Sequence, residues 1–125
     1  MRLIGIGIDI ITLEKAKRFL KRHRKKILER MLTAGERKRL GKKKSLSPLY
    51  FSKMMVAKEA FFKAMGKSWM GLEGFGALEV KMASEDHFLI KTVSASSPSS
   101  KPRQAAGHFF KTDKYLGAQV SCFDF

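Results

Sequence analysis

Two acidic residues lie at positions where a carboxylate is unfavourable unless it has a specific role. Asp9 interrupts the apolar run Ile6-Gly7-Ile8-Asp9-Ile10, and Glu59 lies mid-way along a segment with helical periodicity. A buried, unpaired carboxylate is costly, so it requires a partner, a metal ion or a place at the end of a strand in a cleft. Taken singly, each acid is more simply explained as an ion-pair or capping residue. Together, one carboxylate from a strand and one from a helix suit Mg²⁺, which binds one or two carboxylates and completes its octahedron with water and substrate phosphate oxygens.

Lysines surround the second of these acids. Lys58 precedes Glu59 directly, and Lys63 follows one helical turn later, with Lys67 beyond it. A helical Glu followed by Lys four residues later is often only a surface pair. Beside a Mg²⁺ site, however, the same lysines would serve a polyphosphate ligand.

The chain is strongly basic, and its charge is concentrated. Its 125 residues include 26 Lys and Arg against 11 Asp and Glu, for a formal net charge of +15, and fifteen of the basic residues fall between positions 15 and 44. Such a patch attracts an acidic partner, which leaves open a nucleic acid, an anionic membrane, an acidic protein or a phosphorylated small molecule. A merely solvated helix face is the simpler alternative. Only Phe19 interleaves an aromatic ring with the helix charges, which disfavours nucleic acid.

Composition excludes several classes of protein. With 44% hydrophobic residues and ten Phe, the chain can form a core and is not a disordered polycation. No apolar run approaches the roughly 18 residues of a membrane span. The apolar start contains Asp9 and no small-residue cleavage site follows it, and Cys122 is the single cysteine. We therefore expect one soluble, cytoplasmic domain over residues 1–125, without a signal peptide, a disulfide framework or a cysteine-based zinc site.

The order of the predicted elements favours an α+β fold. The Ile-rich stretch 2–11 predicts a buried strand, and Thr12 is a suitable N-cap for a basic amphipathic helix over 13–31. Thr33 and Glu36 form a capping-box pattern for a short helix over 34–40. Ser47 and Pro48 open a third helix, which Gly66 ends near residue 65. Further strands are predicted at about 77–82, 87–93, 105–110 and 115–123, with loops at 41–46 and 94–103 and a glycine-rich loop through 71–76. Strands and helices do not alternate strictly, so a doubly wound sheet is less suitable.

At this point the sequence resembles a known family, the holo-(acyl-carrier-protein) synthases of the 4′-phosphopantetheinyl transferase superfamily. Its first strand and metal aspartate are similar to residues 4–10 (IGIGIDI), and its second signature matches residues 57–66 (AKEAFFKAMG) nearly position for position. Shorter similarities occur at residues 32–36 (LTAGE), 75–80 (FGALEV) and 115–120 (YLGAQV). The resemblance therefore covers most of the chain and implies one domain in which an antiparallel sheet packs with a long helix.

The resemblance implies a reaction and roles for particular residues. The 4′-phosphopantetheine arm of coenzyme A would be transferred to a serine of acyl carrier protein, with release of adenosine 3′,5′-bisphosphate. Asp9 and Glu59 would hold Mg²⁺, Glu59 and Lys63 would be catalytic, and Lys63 would neutralise the charge that develops as the anhydride breaks. Lys58, Lys63, Gly66 and Lys111 would contact coenzyme A.

The family also implies how the chain meets its partners. It is known as a trimer with active sites between subunits, which leaves open whether Asp9 and Glu59 of one site come from one chain or from two. The basic helix would dock the acidic acyl carrier protein, and neither a membrane nor a nucleic acid is expected as a partner. The expected docking residues are Lys15, Arg18, Arg22 and Lys25.

The chain departs from the family pattern at three positions. Met54 stands where the family has an arginine, with Lys53 beside it, and Phe110 and Lys111 replace a Ser-His pair. These departures motivate a second hypothesis, a non-catalytic relative that binds an acidic carrier protein. A basic nucleic-acid-binding domain is a third. His108, close to the replaced pair, is the one histidine that merits a functional test.

Overall fold

The computed structural model describes residues 2–40, 46–66, 74–93 and 104–124. Five strands and three helices account for most of these residues, and a short π-helical segment continues the first helix. In chain order they are β1 (Arg2–Thr12), α1 (Leu13–Lys26), the π-helical segment (Ile27–Met31), α2 (Ala34–Arg39), α3 (Pro48–Ala64), β2 (Leu78–Met82), β3 (His87–Thr92), β4 (Gln104–Lys111) and β5 (Tyr115–Asp124). These bounds confirm the predicted elements to within a few residues. Most of the loop predicted at 41–46, all of the loop at 94–103 and the first half of the glycine-rich loop lie outside the described residues.

The five strands form one antiparallel sheet in the order β1-β5-β4-β3-β2. Helix α3 packs along one face of this sheet and makes its most extensive contacts with β1 and β5. The predicted α+β class, an antiparallel sheet with a long helix, is therefore confirmed. No helix within the described residues is both long and apolar enough to cross a membrane.

Local sequence signals set the helix ends. The Thr12 hydroxyl accepts a hydrogen bond from the Lys15 amide, and the capping box of Thr33 and Glu36 is complete. Ser47 caps α3 in the same way, with Pro48 in its first turn. At the other end, Gly66 has φ +72°, a conformation that costs glycine little and other residues more. These confirmed caps begin and end the helices that carry the basic face and Glu59.

The buried face of β1 is made almost without side chains. Gly5 and Gly7 face α3 so closely that a Cβ at Gly7 would meet the backbone of Ala60, and one at Gly5 would meet the backbone of Ala64. This close approach brings the next inward-facing residue of β1, Asp9, against the same helix. The alternating residues of the strand point away from α3.

The prediction that β1 is a buried strand was wrong for this outer face. Ile6, Ile8 and Ile10 are each more than half exposed in the single chain. A strand rich in isoleucine is usually buried on both faces of its sheet. In β1 the glycines between the isoleucines form the buried face, and the isoleucines lie on the exposed face.

Replacing Gly7 with Ala should destabilise the fold, because the new methyl group would meet backbone atoms of α3, which cannot rotate away. Overpacking of this kind typically costs about 1–3 kcal/mol, measurable by urea unfolding. Gly117→Ala is the matched control, since the nearest neighbours of its Cβ would all be ring atoms of Phe110, a side chain that is 40% exposed and can rotate away. Equal stability of the two variants would contradict the close approach of β1 and α3.

Candidate active site

Asp9 and Lys63 form an ion pair where β1 meets α3. The Lys63 ammonium donates to Oδ1 of Asp9 at 2.9 Å and to the carbonyl of Ile8 at 3.2 Å. The Asp9 side chain is 18% exposed and that of Lys63 is 47% exposed. The pair is thus open to solvent on the lysine side, where an anionic ligand can approach the ammonium.

Glu59 lies on α3 beside this pair. Its pKa is raised above the ordinary value, chiefly by burial and further by the neighbouring charge of Asp9, while Lys63 opposes the rise. Its Oε2 atom is buried and has no hydrogen-bond partner among the described residues. A buried carboxylate oxygen without a donor is an unsatisfied acceptor, and a cation satisfies it.

These two carboxylates fit a magnesium ion better than a metal held wholly by protein. Within the described ranges no group of three or more His, Cys, Asp or Glu side chains could ligate a metal. Mg²⁺ commonly uses only one or two carboxylates and keeps water and phosphate oxygens for its other positions. The charge of Asp9 acts on Glu59 within a single chain, so the two carboxylates are neighbours without a second copy.

Lys58 lies elsewhere, and its expected contact with coenzyme A does not agree with its place in the fold. The side chain is completely buried, and its ammonium donates to Oε1 of Glu36 at 2.7 Å and to two backbone carbonyls. Burial lowers the pKa of Lys58, and the charge of Glu36 opposes that change. With all three N–H groups already bonded inside the protein, Lys58 offers no donor to a phosphate, so we withdraw it from the ligand contacts.

A cleft of about 470 Å³ opens beside Asp9, between the end of β1 and helices α1 and α3. Asp9 and Lys15 supply its charge, while Phe19, Met55 and Tyr115 contribute apolar and aromatic surface. Sequence reasoning assigned Lys15 to partner docking and did not group it with Asp9, so it missed this cleft. The signal that could have indicated the cleft was Phe19, an aromatic residue that lies beside the apolar stripe of α1 and not in it.

The expected docking residues are exposed on α1 and divide between two surfaces. Lys15, Arg18 and Arg22 line one shallow groove with Phe19 and His23. Lys25 lines a separate groove with Leu28, Glu29, Arg37 and Leu40. Lys15 also lines the Asp9 cleft, so the basic groove and Asp9 belong to one continuous surface.

Comparison with known proteins assigns this arrangement to a family. The model of the 4′-phosphopantetheinyl transferase superfamily matches residues 5–119, which include both carboxylates, Lys63 and the basic helix. The chain belongs to this superfamily.

Individual transferases of the superfamily are similar over part or all of the chain. The holo-[acyl-carrier-protein] synthase of Wigglesworthia glossinidia brevipalpis is 37% identical over 70 residues, 53% of this chain and 50% of the relative. The chain therefore spans about half the length of the curated relatives it matches. A crystal structure of the Bacillus anthracis synthase in complex with CoA (3′,5′-ADP) is similar at 25% identity and a TM-score of 0.72, over 98% of this chain and 97% of the other. The Neisseria meningitidis synthase shares the fold with a TM-score of 0.74, at 23% identity over 98% and 99% of the two chains.

The departures from the transferase pattern lie away from the carboxylates. Met54 is fully buried. The Lys53 ammonium donates a hydrogen bond to the carbonyl of Glu85 at 3.1 Å and lies over the ring face of Phe109. Lys111 is exposed and lines a small groove with Lys53 and Phe109, not the Asp9 cleft. The single chain therefore does not bring Lys111 together with Asp9 and Glu59.

Two other residues singled out from the sequence have clear positions. Gly66 follows the C-cap residue of α3, Met65, and a Cβ built on it would meet no atom of the described residues within 4 Å. His108 is exposed on the sheet face opposite α3, directly across from His87, with ring centroids 6.3 Å apart. It is thus separated from Glu59 by the sheet.

Glu59→Gln should stabilise this transferase fold at neutral pH. Because the folded chain raises the pKa of Glu59, the stability that comes with a protonated Glu59 is present at low pH and is lost as the pH rises through the raised pKa. The variant should therefore unfold at a higher temperature than wild type at pH 7, and the difference should shrink below about pH 4. Thermal unfolding at both pH values checks this, with Glu85→Gln, at an exposed turn, as control. A Tm for Glu59→Gln below that of wild type at pH 7 would contradict the buried, repelled carboxylate.

Proposed function

We propose that the chain transfers the 4′-phosphopantetheine arm of coenzyme A to a serine of apo acyl carrier protein, releases adenosine 3′,5′-bisphosphate and depends on Mg²⁺. The observation that carries this proposal is the buried Oε2 of Glu59, which has no hydrogen-bond partner among the described residues and lies beside the Asp9–Lys63 pair. Glu59 stands in the segment that resembles the second signature of the family. The Bacillus anthracis synthase was solved in complex with CoA (3′,5′-ADP), which supports coenzyme A as the donor.

The reaction exchanges one phosphorus–oxygen bond for another. The serine oxygen of the carrier attacks the phosphorus that bears the pantetheine arm and loses its proton to a base or to water. The anhydride bond to the nucleotide breaks, and the bridging oxygen leaves on adenosine 3′,5′-bisphosphate. A magnesium ion held by Asp9 and Glu59 would supply charge neutralisation on the pyrophosphate oxygens.

Lys63 is suited to stabilise the negative charge of the leaving group. Its ammonium is already oriented by Asp9 and by the carbonyl of Ile8, while about half of the side chain stays exposed. A cation fixed before the reaction needs no reorganisation when negative charge develops on the departing oxygen. Gly66, which the resemblance places among the coenzyme A contacts, follows the end of the same helix.

The basic groove on α1 would dock the carrier. It adjoins the Asp9 cleft through Lys15, so a partner bound there can present a serine to the cleft. Acyl carrier proteins are acidic, and charge complementarity increases the rate of encounter. The partner contacts are therefore assigned to Lys15, Arg18 and Arg22, with Lys25 at the neighbouring groove.

Release of the nucleotide tests this function. Wild type, coenzyme A and Mg²⁺ should yield adenosine 3′,5′-bisphosphate, measured by chromatography, only when an apo carrier is present. Omission of the carrier controls for simple hydrolysis of coenzyme A. Nucleotide release that is independent of a carrier would contradict transfer and indicate a hydrolase.

We further propose that the chain assembles as a trimer through the outer face of β1. Leu3, Ile4, Ile6, Ile8 and Ile10 form a continuous apolar stripe with exposures between 37% and 55%. Contiguous apolar patches of this kind usually mark interaction surfaces. A trimer that packs through this face would cover the stripe. It agrees with the assembly expected of the family.

Ile8→Glu should break this assembly, because it places a charge in the middle of the apolar stripe. Light scattering after gel filtration should give a particle of three 14.2 kDa chains for wild type and a single chain for the variant. Leu49→Glu is the control, since Leu49 is similarly apolar and 39% exposed but lies on α3. A monomeric wild type would refute the trimer.

A second candidate function is carrier binding without turnover. It is favoured by the buried Met54 in place of the family arginine and by Lys111 lying in a separate groove. Such a protein would retain a carrier on α1 but produce no nucleotide, so the release assay combined with a carrier-binding measurement separates the two functions.

A further inference from the structure

The ammonium group of Lys58 joins α3 to three separate chain segments. It donates to the carbonyl of Met31 at 2.7 Å, to Oε1 of Glu36 at 2.7 Å and to the carbonyl of Phe75 at 3.0 Å. Three acceptors match the three N–H groups of an ammonium, and both charged side chains are 0% exposed. These bonds fix the rotation of α3 at residue 58.

Glu36 is itself held rigidly. Its Oε1 also accepts the amide of Thr33 at 2.9 Å, and its Oε2 accepts the amide of Val80 at 2.8 Å. The acceptor that Lys58 uses is thus anchored to the start of α2 and to β2, so α3 is tied to a fixed frame and not to a mobile side chain.

Glu59 follows Lys58 and projects about 100° further around the helix, toward β1. On that side, the contact of Gly7 with the backbone of Ala60 sets how near the helix lies to Asp9. The charge of Asp9 disfavours a second carboxylate there, and the buried Oε2 of Glu59 has no hydrogen-bond donor in the described part of the chain. The position of Glu59 is therefore imposed by the helix that carries it.

We propose that Lys58, through its buried ion pair with Glu36, is a positioning residue that holds Glu59 against Asp9 and so sets the affinity of the site for a divalent cation. This inference rests on the proposed function, because it takes Asp9 and Glu59 as the cation ligands. It assigns Lys58, the first lysine of the signature AKEAFFKAMG, the role of positioning Glu59 in place of a contact with coenzyme A.

The alternative is that the ion pair only stabilises the fold. Replacing both members of a buried pair by uncharged residues of similar volume is often tolerated, whereas removing one leaves an uncompensated charge. The double variant Lys58→Met/Glu36→Gln therefore separates the two roles, since it removes the anchored ammonium with little loss of packing.

Binding of Mn²⁺, followed by electron paramagnetic resonance of the free ion, is the direct test. We expect wild type to bind Mn²⁺ at a site that Glu59→Gln removes, and the folded double variant to bind it at least about tenfold more weakly. Phe88→Leu is the control, because Phe88 is buried in β3 against Phe109 of β4, and its truncation destabilises the fold without removing any bond of Lys58. Its Mn²⁺ affinity should equal that of wild type.

Glu36→Asp provides a second variant should the double variant fail to fold. It keeps both charges of the buried pair but shortens the acceptor by one methylene group, and we expect a weaker loss of Mn²⁺ affinity, about threefold. A folded double variant, or Glu36→Asp, with the Mn²⁺ affinity of wild type would overturn the positioning role. Absence of a Glu59-dependent Mn²⁺ site in wild type would instead overturn the proposed cation site itself.

Discussion

Replacing Glu59 with Gln should reduce transfer of the phosphopantetheine arm by at least about 10²–10³-fold, without unfolding the chain. The substitution keeps the size of the side chain but removes the negative charge, and with it the ligand that the buried Oε2 offers to a cation. Steady-state rates at saturating coenzyme A and carrier, over a series of Mg²⁺ concentrations, provide the measurement.

The matched control for this result is Glu85→Gln. Glu85 lies in the exposed turn between β2 and β3, where only its backbone carbonyl is used, by Lys53. This variant should transfer at the wild-type rate. If Glu59→Gln also transferred at that rate, Glu59 could not be a cation ligand, and the geometry of the site would need another explanation.

Reversing two charges on α1, Arg18→Glu together with Arg22→Glu, should raise the KM for the carrier about 100-fold or more while the KM for coenzyme A changes little. Both arginines are exposed and line the groove that adjoins the Asp9 cleft, so the variant repels an acidic partner at the docking surface. The wild-type KM should itself rise with salt, because exposed charges are screened over roughly 8–10 Å at moderate ionic strength.

Lys38→Glu together with Lys81→Glu is the control for this pair. It changes the net charge by the same amount at exposed positions on α2 and β2. If the control raised the carrier KM as much as the α1 variant, the effect would come from net charge alone, and a defined docking groove on α1 would be excluded.

Local signals predicted the helices well, because the interactions that begin and end them lie within a few residues. Thr12, the Thr33–Glu36 capping box and Ser47 each bond to an amide three residues away, so the sequence contains both partners in one short segment. The pairing of Asp9 with Glu59 was a hypothesis from the sequence, based on one acid in an apolar strand and one beside lysines on a helix, and it left open whether one chain or two supply them.

Burial depended on long-range packing and was harder to predict. The outward direction of Ile6, Ile8 and Ile10 follows from the glycines between them, which admit α3 on the other face, and periodicity alone does not show which face a helix covers. Lys58 was misplaced for a similar reason. Its partner Glu36 is 22 residues away, and nothing near Lys58 in the sequence indicates a buried acceptor.

The most direct test of the central claim is the intact mass of an apo acyl carrier protein after incubation with this chain, coenzyme A and Mg²⁺. The account predicts a gain equal to one phosphopantetheine arm, absent when EDTA removes the cation and absent with Glu59→Gln. No gain in mass on several carriers that nonetheless bind α1 would contradict a transferase and leave carrier binding as the function. A gain that persists in EDTA would contradict the role of Asp9 and Glu59 as cation ligands.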